Sequence, residues 1–340
     1  MENFKIYISF KSAITFVFSL IVLFLLFKIK DFLLILFASF VIASSLFPAV
    51  DWMSKKMSRW LAVSIVYLMG FIILATVFIP FTVVFIEQTR ELARQMPVYW
   101  ADMEALMAKL QIFTQNSSFL PDISQFFTVS GDWGQNIINQ SINLTINFFT
   151  GLVAIFTMAV IILFMLLDKK ELEEGFLKFF PEKTRKRAQI TIQEMERKVG
   201  GYVRGQLLLM FLVAVITGTC LHLLGIKFAF LLGIIAGLLE IIPIAGPILS
   251  AVPAVIIAFA HNPWLALWTI VIYLLIQRIE NSIMTPLILG KFLDMHPIVI
   301  IISLFTCASL FGVAGAVLSP AIAAVVYVLV QEFNKPAEEK

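Results

Sequence analysis

Apolar residues fall along this chain in long unbroken blocks, and the charged residues gather between them. Lys11 and Lys28 bracket sixteen uncharged residues, and Asp31 and Asp51 bracket nineteen more. The link Lys28–Asp31 is short, so these two blocks predict antiparallel spans. No small-x-small cleavage site ends the first block and a second follows at once, so it reads as a retained span, not a cleaved signal. Trp60–Ile86 is uncharged for twenty-seven residues, enough for a tilted span. Leu144–Leu167, Gly205–Ile226 and Trp264–Gln277 are further spans. The prediction is an all-α polytopic membrane protein with about 8 transmembrane or re-entrant helical segments.

Two polar stretches interrupt the blocks. Glu87–Ile142 holds three basic and six acidic residues. Its apolar positions Leu92, Met96, Tyr99, Met103, Leu106 and Leu110 recur at helical spacing, which predicts amphipathic helices outside the hydrocarbon. Asp168–Arg204 carries ten basic and seven acidic residues. Pro181 opens a helical pattern there through Lys183, Arg185, Lys186 and Arg187. It reads as a solvated helix or one touching anionic headgroups. The chain then divides into a three-span region (1–86), an extracytoplasmic insert (87–145), a fourth span with its basic helix (146–204) and a core (205–340). Lys5 and Lys11, then Lys55, Lys56 and Arg59, then the 168–204 segment all fall on one side if the N-terminus is cytoplasmic. Both termini are then cytoplasmic.

The core contains two apolar blocks with too many helix breakers. Leu231–Phe259 carries Pro243, Gly246, Pro247 and Pro253. Ile298–Val330 carries Gly312, Gly315 and Pro320. Proline removes a backbone donor and clashes with the preceding turn. In hydrocarbon the freed groups must find partners in protein or a cavity. Each block therefore predicts a broken-helix hairpin, over 231–260 and 298–330. Whether the arms re-enter or span fully is left open by the pattern. The two blocks also resemble each other. Ala245–Gly246–Pro247–Ile248–Leu249–Ser250 is echoed by Ala314–Gly315–Ala316–Val317–Leu318–Ser319, and Leu224–Gly225–Ile226–Lys227–Phe228 by Leu289–Gly290–Lys291–Phe292, at an offset of about 65–69 residues. One intervening span would make the pair an inverted repeat with its breaks meeting near the midplane, where transporters hold their sites.

Composition agrees with the blocks. The chain has 340 residues, 60% hydrophobic and 14% charged, against about 45–50% and ~25% in soluble domains. The net charge of +3 follows from loop placement and points to no nucleic acid. Cys220 and Cys307 sit in apolar segments without metal-type spacing. His222, His261 and His296 are scattered. No HExxH, Walker A, GxSxG or GxGxxG motif is present. The chain reads as neither an enzyme nor a nucleotide-driven pump, with no cofactor or metal centre.

Five polar positions in the core and at its edge carry the candidate chemistry. Glu240 lies inside the first broken block, and a carboxylate at membrane depth must pair, face a cavity or hold a proton. Glu280 with Asn281, on an expected helix end beside Arg278, offers oxygen ligands to Na⁺ or serves as an interfacial cap. Arg204 and Gln206 open the fifth span, where Arg204 snorkels to headgroups or pairs with Glu280. Gly246, Gly315 and the prolines Pro243, Pro247, Pro253 and Pro320 would expose backbone carbonyls to a cation or solute.

Tyr202–Val203–Arg204–Gly205–Gln206, Glu240–Ile241–Ile242–Pro243–Ile244–Ala245–Gly246–Pro247, Ile279–Glu280–Asn281, His296–Pro297 and Phe311–Gly312–Val313–Ala314–Gly315 together resemble the AI-2E family of bacterial permease-like proteins. The resemblance runs over nearly the whole chain. It implies a multi-pass protein of the bacterial cytoplasmic membrane that exports a small polar solute, such as the quorum-sensing signal autoinducer-2, by alternating access. It equally implies a sodium(lithium)/proton antiporter as the alternative. The family often has Asn where Glu240 stands, and an ionisable group there suits Na⁺ or H⁺ coupling. The expected partners are the lipid bilayer, a small-molecule or cation substrate, and further copies of the chain.

Overall fold

The structure, a computed structural model, describes residues 17–19, 21–22, 24–25, 27–73, 75–76, 87–88, 90–91, 94, 151, 153–290, 292 and 295–334. Most of the amphipathic insert and half of the first expected span lie outside the described residues. The described residues contain no strand and are almost all helix, turn or bend. The helices are α1 (Lys30–Met53), α2 (Arg59–Ile73), α3 (Val153–Leu167), α4 (Lys169–Leu177), α5 (Glu182–Leu223), α6 (Ala229–Leu239), α7 (Ala245–His261), α8 (Pro263–Ile279), α9 (Thr285–Leu289) and α10 (Pro297–Asn334). Four helical stretches among the described residues are long and apolar enough to cross a membrane: Lys30–Met53, Glu182–Leu223, Pro263–Leu289 and Pro297–Asn334. Large apolar side chains such as Phe211, Trp268, Leu274 and Phe305 face outward. In lipid such a surface is in its own solvent.

Two features differ from the reading of the sequence. The basic helix and the fifth span are one rod of 42 residues, opened by Pro181 and ended at Leu223 rather than Ile226. At 1.5 Å per residue it is ~63 Å long, about twice a hydrocarbon core, so its charged first half projects beyond the bilayer. The helix expected to end near Arg278 does not end there. It passes through a π turn, Glu280–Met284, into α9. Pro286 in α9 has no N–H to give, and the wider turn before it absorbs that defect.

Small residues set the packing around α5. A Cβ on Gly200 would lie 2.1 Å from the Ser44 carbonyl oxygen, and one on Gly205 2.6 Å from a Leu289 methyl. So α1 and the α9 end press directly on the α5 backbone. Val41, Val199, Tyr202, Leu209, Val213, Ala321 and Ala324 fill the core between α1, α5 and α10. A separate core of Phe47, Val50, Val63, Val66, Ile162 and Leu166 joins α1, α2 and α3.

Charges gather at one end. Lys169 Nζ bridges Asp51 (3.5 Å) and Glu196 (2.9 Å) and sits 4.1 Å over the Phe47 ring. Arg59 bonds Asp51 at 3.1 Å and donates to the Leu166 carbonyl at 2.7 Å. Arg187 pairs with Glu332, near the end of α10. The loop after α1, the 168–204 segment and the end of α10 thus share this charged end. Lys30 lies at the far end, where it donates to the Leu310 carbonyl at 3.2 Å.

Both broken blocks form antiparallel helical hairpins, and they open toward opposite ends. The first leaves the far end by α6, turns at Glu240–Ile244 and returns by α7. α6 has 11 residues and is ~17 Å long, about half of what crossing requires. The second leaves the charged end over 297–311, turns at Gly312 and returns over 313–334. Gly312 has φ 63° and ψ −144°, a region closed to residues with a Cβ. Its return arm runs from the level of Lys30 to that of Arg187, the full depth of the bundle. The matched motifs do matched work. A Cβ on Gly246 would lie 2.0 Å from the Leu239 carbonyl oxygen, and one on Gly315 2.1 Å from that of Cys307, so each Ala-Gly pair lets the two arms touch. Ser250 and Ser319 each donate to the carbonyl three residues back, Pro247 and Ala316. The Ala316 carbonyl is the one Pro320 cannot bond.

Outside the membrane, burial pushes the Glu196 carboxyl above its ordinary value of 4.5, against the pull of Lys169. The folded state holds this proton more firmly than the unfolded state does. The carboxyl's contribution to stability is therefore lost as pH rises from about 4.5 through the raised value. Lys169→Ala removes the opposing cation. It should destabilise the protein by roughly 1–3 kcal/mol, with a larger drop in melting temperature at about pH 7.5 than at about pH 5. Thermal unfolding in detergent at both pH values measures this.

Candidate functional site

The first hairpin ends in a strained turn. Ile244 has φ 69° and ψ −49°, and Ala245 N–H donates to the Pro243 carbonyl at 2.7 Å. This is a γ-turn of the rare hand, at a β-branched residue that avoids positive φ. Strain of this kind persists only where the surroundings impose it. Here the turn is held from both sides. Gly246 packs on the Leu239 carbonyl, and Gln206 of α5 donates to the Glu240 carbonyl at 2.8 Å. Glu240 ends α6, so its carbonyl has no partner within that helix. The buried Gln206 amide is its replacement.

With its backbone pinned, Glu240 turns its side chain inward and is only 6% exposed. Glu280, the first residue of the π turn, is also 6% exposed. Both residues line the same small cavity. Gln277, one turn back, donates to Glu280 Oε2 at 3.1 Å. The pair borders a cavity of about 10 Å³, room for one water. The lining comes from α5 (Val213, Thr217), the hairpin (Ala236, Pro247, Ser250) and α8 (Tyr273, Ile276) besides the residues named. Tyr273 hydroxyl donates to the Ser250 carbonyl at 3.2 Å and closes one wall.

The other expected site residues fall elsewhere. Arg204 is exposed and donates to the Ser45 carbonyl at 2.9 Å, so it ties α5 to α1 and does not meet Glu280. Asn281 is exposed, on the side of the π turn away from the cavity. Of the breakers, Pro247 lines the cavity, Pro243 and Gly246 shape its turn, and Pro253 lies further along α7. Gly312, Gly315 and Pro320 belong to the second hairpin, which packs on α5 and α1 and adds nothing to this lining. The two breaks therefore do not meet at the cavity. Thr217, Ser250, Tyr273 and Gln277 were not singled out by sequence. A signal existed for part of the set: Tyr273, Gln277 and Glu280 recur at i, i+4 and i+7 in an apolar helix, one polar stripe.

A polar pair buried between a broken hairpin and a kinked helix is how membrane carriers are built, and comparison with known proteins agrees. The profile of the AI-2E family transporter matches residues 13–335. The chain belongs to the AI-2E family. YueF of Bacillus subtilis (strain 168) is 29% identical over 308 residues, 87% of this chain and 83% of that protein. YrrI of the same strain is 26% identical over 317 residues, 92% of this chain and 89% of that one. The AI-2 transport protein TqsA of Escherichia coli (strain K12) is 25% identical, covering 89% of this chain and 86% of TqsA. This AI-2E protein is thus a multi-pass transporter embedded in a lipid bilayer, and the Glu240–Glu280 cavity is a buried polar site among its described residues.

Gln206→Leu tests the pinning of the hairpin tip. It leaves the Glu240 carbonyl unpaired in a buried place, at a cost of roughly 1–3 kcal/mol. The melting temperature in detergent should fall, while the nearby exposed change Arg204→Gln lowers it less.

Proposed function

We propose that this chain is a secondary transporter working by alternating access, and that the Glu240–Glu280 pair couples it to a small cation. The observation that carries this reading is the placement of two buried carboxyl groups on one cavity with room for one water. Two like charges this close repel strongly in a low-dielectric site, so the pair needs a proton or a metal cation between its oxygens. A site that holds either one can exchange them. Exchange of Na⁺ or Li⁺ for H⁺ is therefore the function the geometry supports best. The two hairpins, open toward opposite ends and sharing the Ala-Gly and Ser devices, fit an inverted repeat whose halves rock against each other. With the charged end cytoplasmic, both termini lie inside a bacterial inner membrane. The 87–145 insert then lies outside, at the end where Gln88 accepts from the Leu231 N–H, and is available for contacts between copies of the chain.

A second reading is export of a small polar solute such as autoinducer-2. Its support is the likeness to TqsA along 89% of the chain. The cavity is too small for such a solute in this conformation, so export would need the hairpins to separate. In that case the carboxyl pair supplies the driving ion.

Inverted membrane vesicles with a pH-sensitive dye decide between these. Added Na⁺ or Li⁺ should produce a pH response that Glu240→Gln abolishes while the protein remains folded in the membrane. A response unchanged in the variant removes Glu240 from the coupling, and no response from the unaltered protein moves the assignment to solute export.

A further inference from the structure

We propose that Thr217 fits the Glu240–Glu280 cavity to a bare alkali-metal cation and so selects which ion is exchanged for the proton. This rests on the carboxyl-pair reading above and adds a ligand from outside the pair.

Thr217 lies in the apolar half of α5 and is 1% exposed. A helical threonine commonly turns its hydroxyl back to the carbonyl four residues earlier. Thr191 and Thr269 do so, at 3.0 Å and 2.8 Å. Thr217 does not: among the described residues its hydroxyl oxygen has no hydrogen-bond partner. Glu240 Oε2 has none either. Both residues line the same cavity. Two buried oxygens in one small space, each lacking a partner, describe a ligand set.

The remaining lining gives the sign of the ligand. The Ser250 hydroxyl hydrogen is spent on the Pro247 carbonyl, and the Tyr273 hydroxyl hydrogen on the Ser250 carbonyl. The Gln277 amide donates to Glu280, and the Gln206 amide to the Glu240 backbone. The two hydroxyl hydrogens and one hydrogen of each amide are thus spent on protein oxygens. A hydroxylated solute would find few donors there. Mg²⁺ keeps several waters, and Ca²⁺ takes 6–8 oxygens. A cavity of about 10 Å³ has no room for those waters. A single dehydrated Na⁺ or Li⁺ matches both size and lone pairs. Charge balances on exchange: the metal ion arrives at Glu240 Oε2 and Thr217 Oγ1, the proton shared by the two carboxyl groups leaves to water, and one positive charge replaces another.

The test uses the purified full-length protein and follows its melting temperature as NaCl or LiCl replaces choline chloride at constant ionic strength. The unaltered protein should be stabilised by Na⁺ or Li⁺. Thr217→Val, nearly isosteric but without the hydroxyl, should weaken the apparent affinity on the order of tenfold, one lost ligand. Thr217→Ser keeps the oxygen and should retain the response even if the valine variant fails to fold. A full response in Thr217→Val, or none in Thr217→Ser, overturns the role of Thr217. If Glu240→Gln is unresponsive while Thr217→Val responds normally, the carboxyl-pair reading stands and only this inference falls. If the unaltered protein responds to neither salt, both fall.

Discussion

Hydrocarbon offers no hydrogen bonds, and this chain breaks a helix inside it. Every group exposed by the break at Glu240–Ile244 must be answered from within the protein. Gln206 answers the Glu240 carbonyl, the γ-turn takes the Pro243 carbonyl, and Gly246 lets α7 close onto α6. The rest of the core follows from that demand. α5 must stay unbroken past the tip to bring Gln206 to it, and α8 must run on through its π turn to carry Glu280 to the same depth. Once the backbone is satisfied, the Glu240 carboxyl remains, buried on the cavity that Glu280 also lines.

The two hairpins solve one backbone problem in two ways. Each uses an Ala-Gly pair where its arms touch and a serine that returns its hydroxyl to the carbonyl three residues back. Their turns differ. Gly312 takes a conformation open only to glycine, so the second hairpin reverses without strain and its return arm runs the full depth of the bundle. Ile244 holds a positive φ that its branched side chain opposes. Strain and the buried carboxyl groups thus coincide at the shorter hairpin. The longer hairpin serves as a wall on α5 and α1.

The charged end holds the other elements in register. Asp51, Arg59, Lys169 and Glu196 join α1, α2, α4 and α5 through one lysine that also caps an aromatic face. These contacts lie at the rim, where water screens them and pH reaches them. The membrane portion relies instead on close backbone contact, as at Gly205 and Gly233, the usual device where lipid gives no hydrophobic drive to helix association.

Much of this was legible in the chain as written. Long apolar blocks can only be helices in a bilayer, because only a helix bonds its own backbone there. Clustered prolines and glycines can only mark breaks. So the helical class, both hairpins, their shared motif and the need to bury or pair the Glu240 carboxylate followed from residue types and spacing. The partners of Glu240 did not. Gln206 and Glu280 stand 34 and 40 residues away from it, on helices whose rotation is set by packing against glycine. Arg204, two positions from Gln206, faces another way for the same reason. The continuation of α8 through a π turn, the orphaned hydroxyl of Thr217 and the opposite openings of the hairpins are also results of packing. Sequence determined which groups must be satisfied inside the membrane, and tertiary structure decided which neighbour satisfies each, because that depends on helix rotation and depth rather than on local pattern.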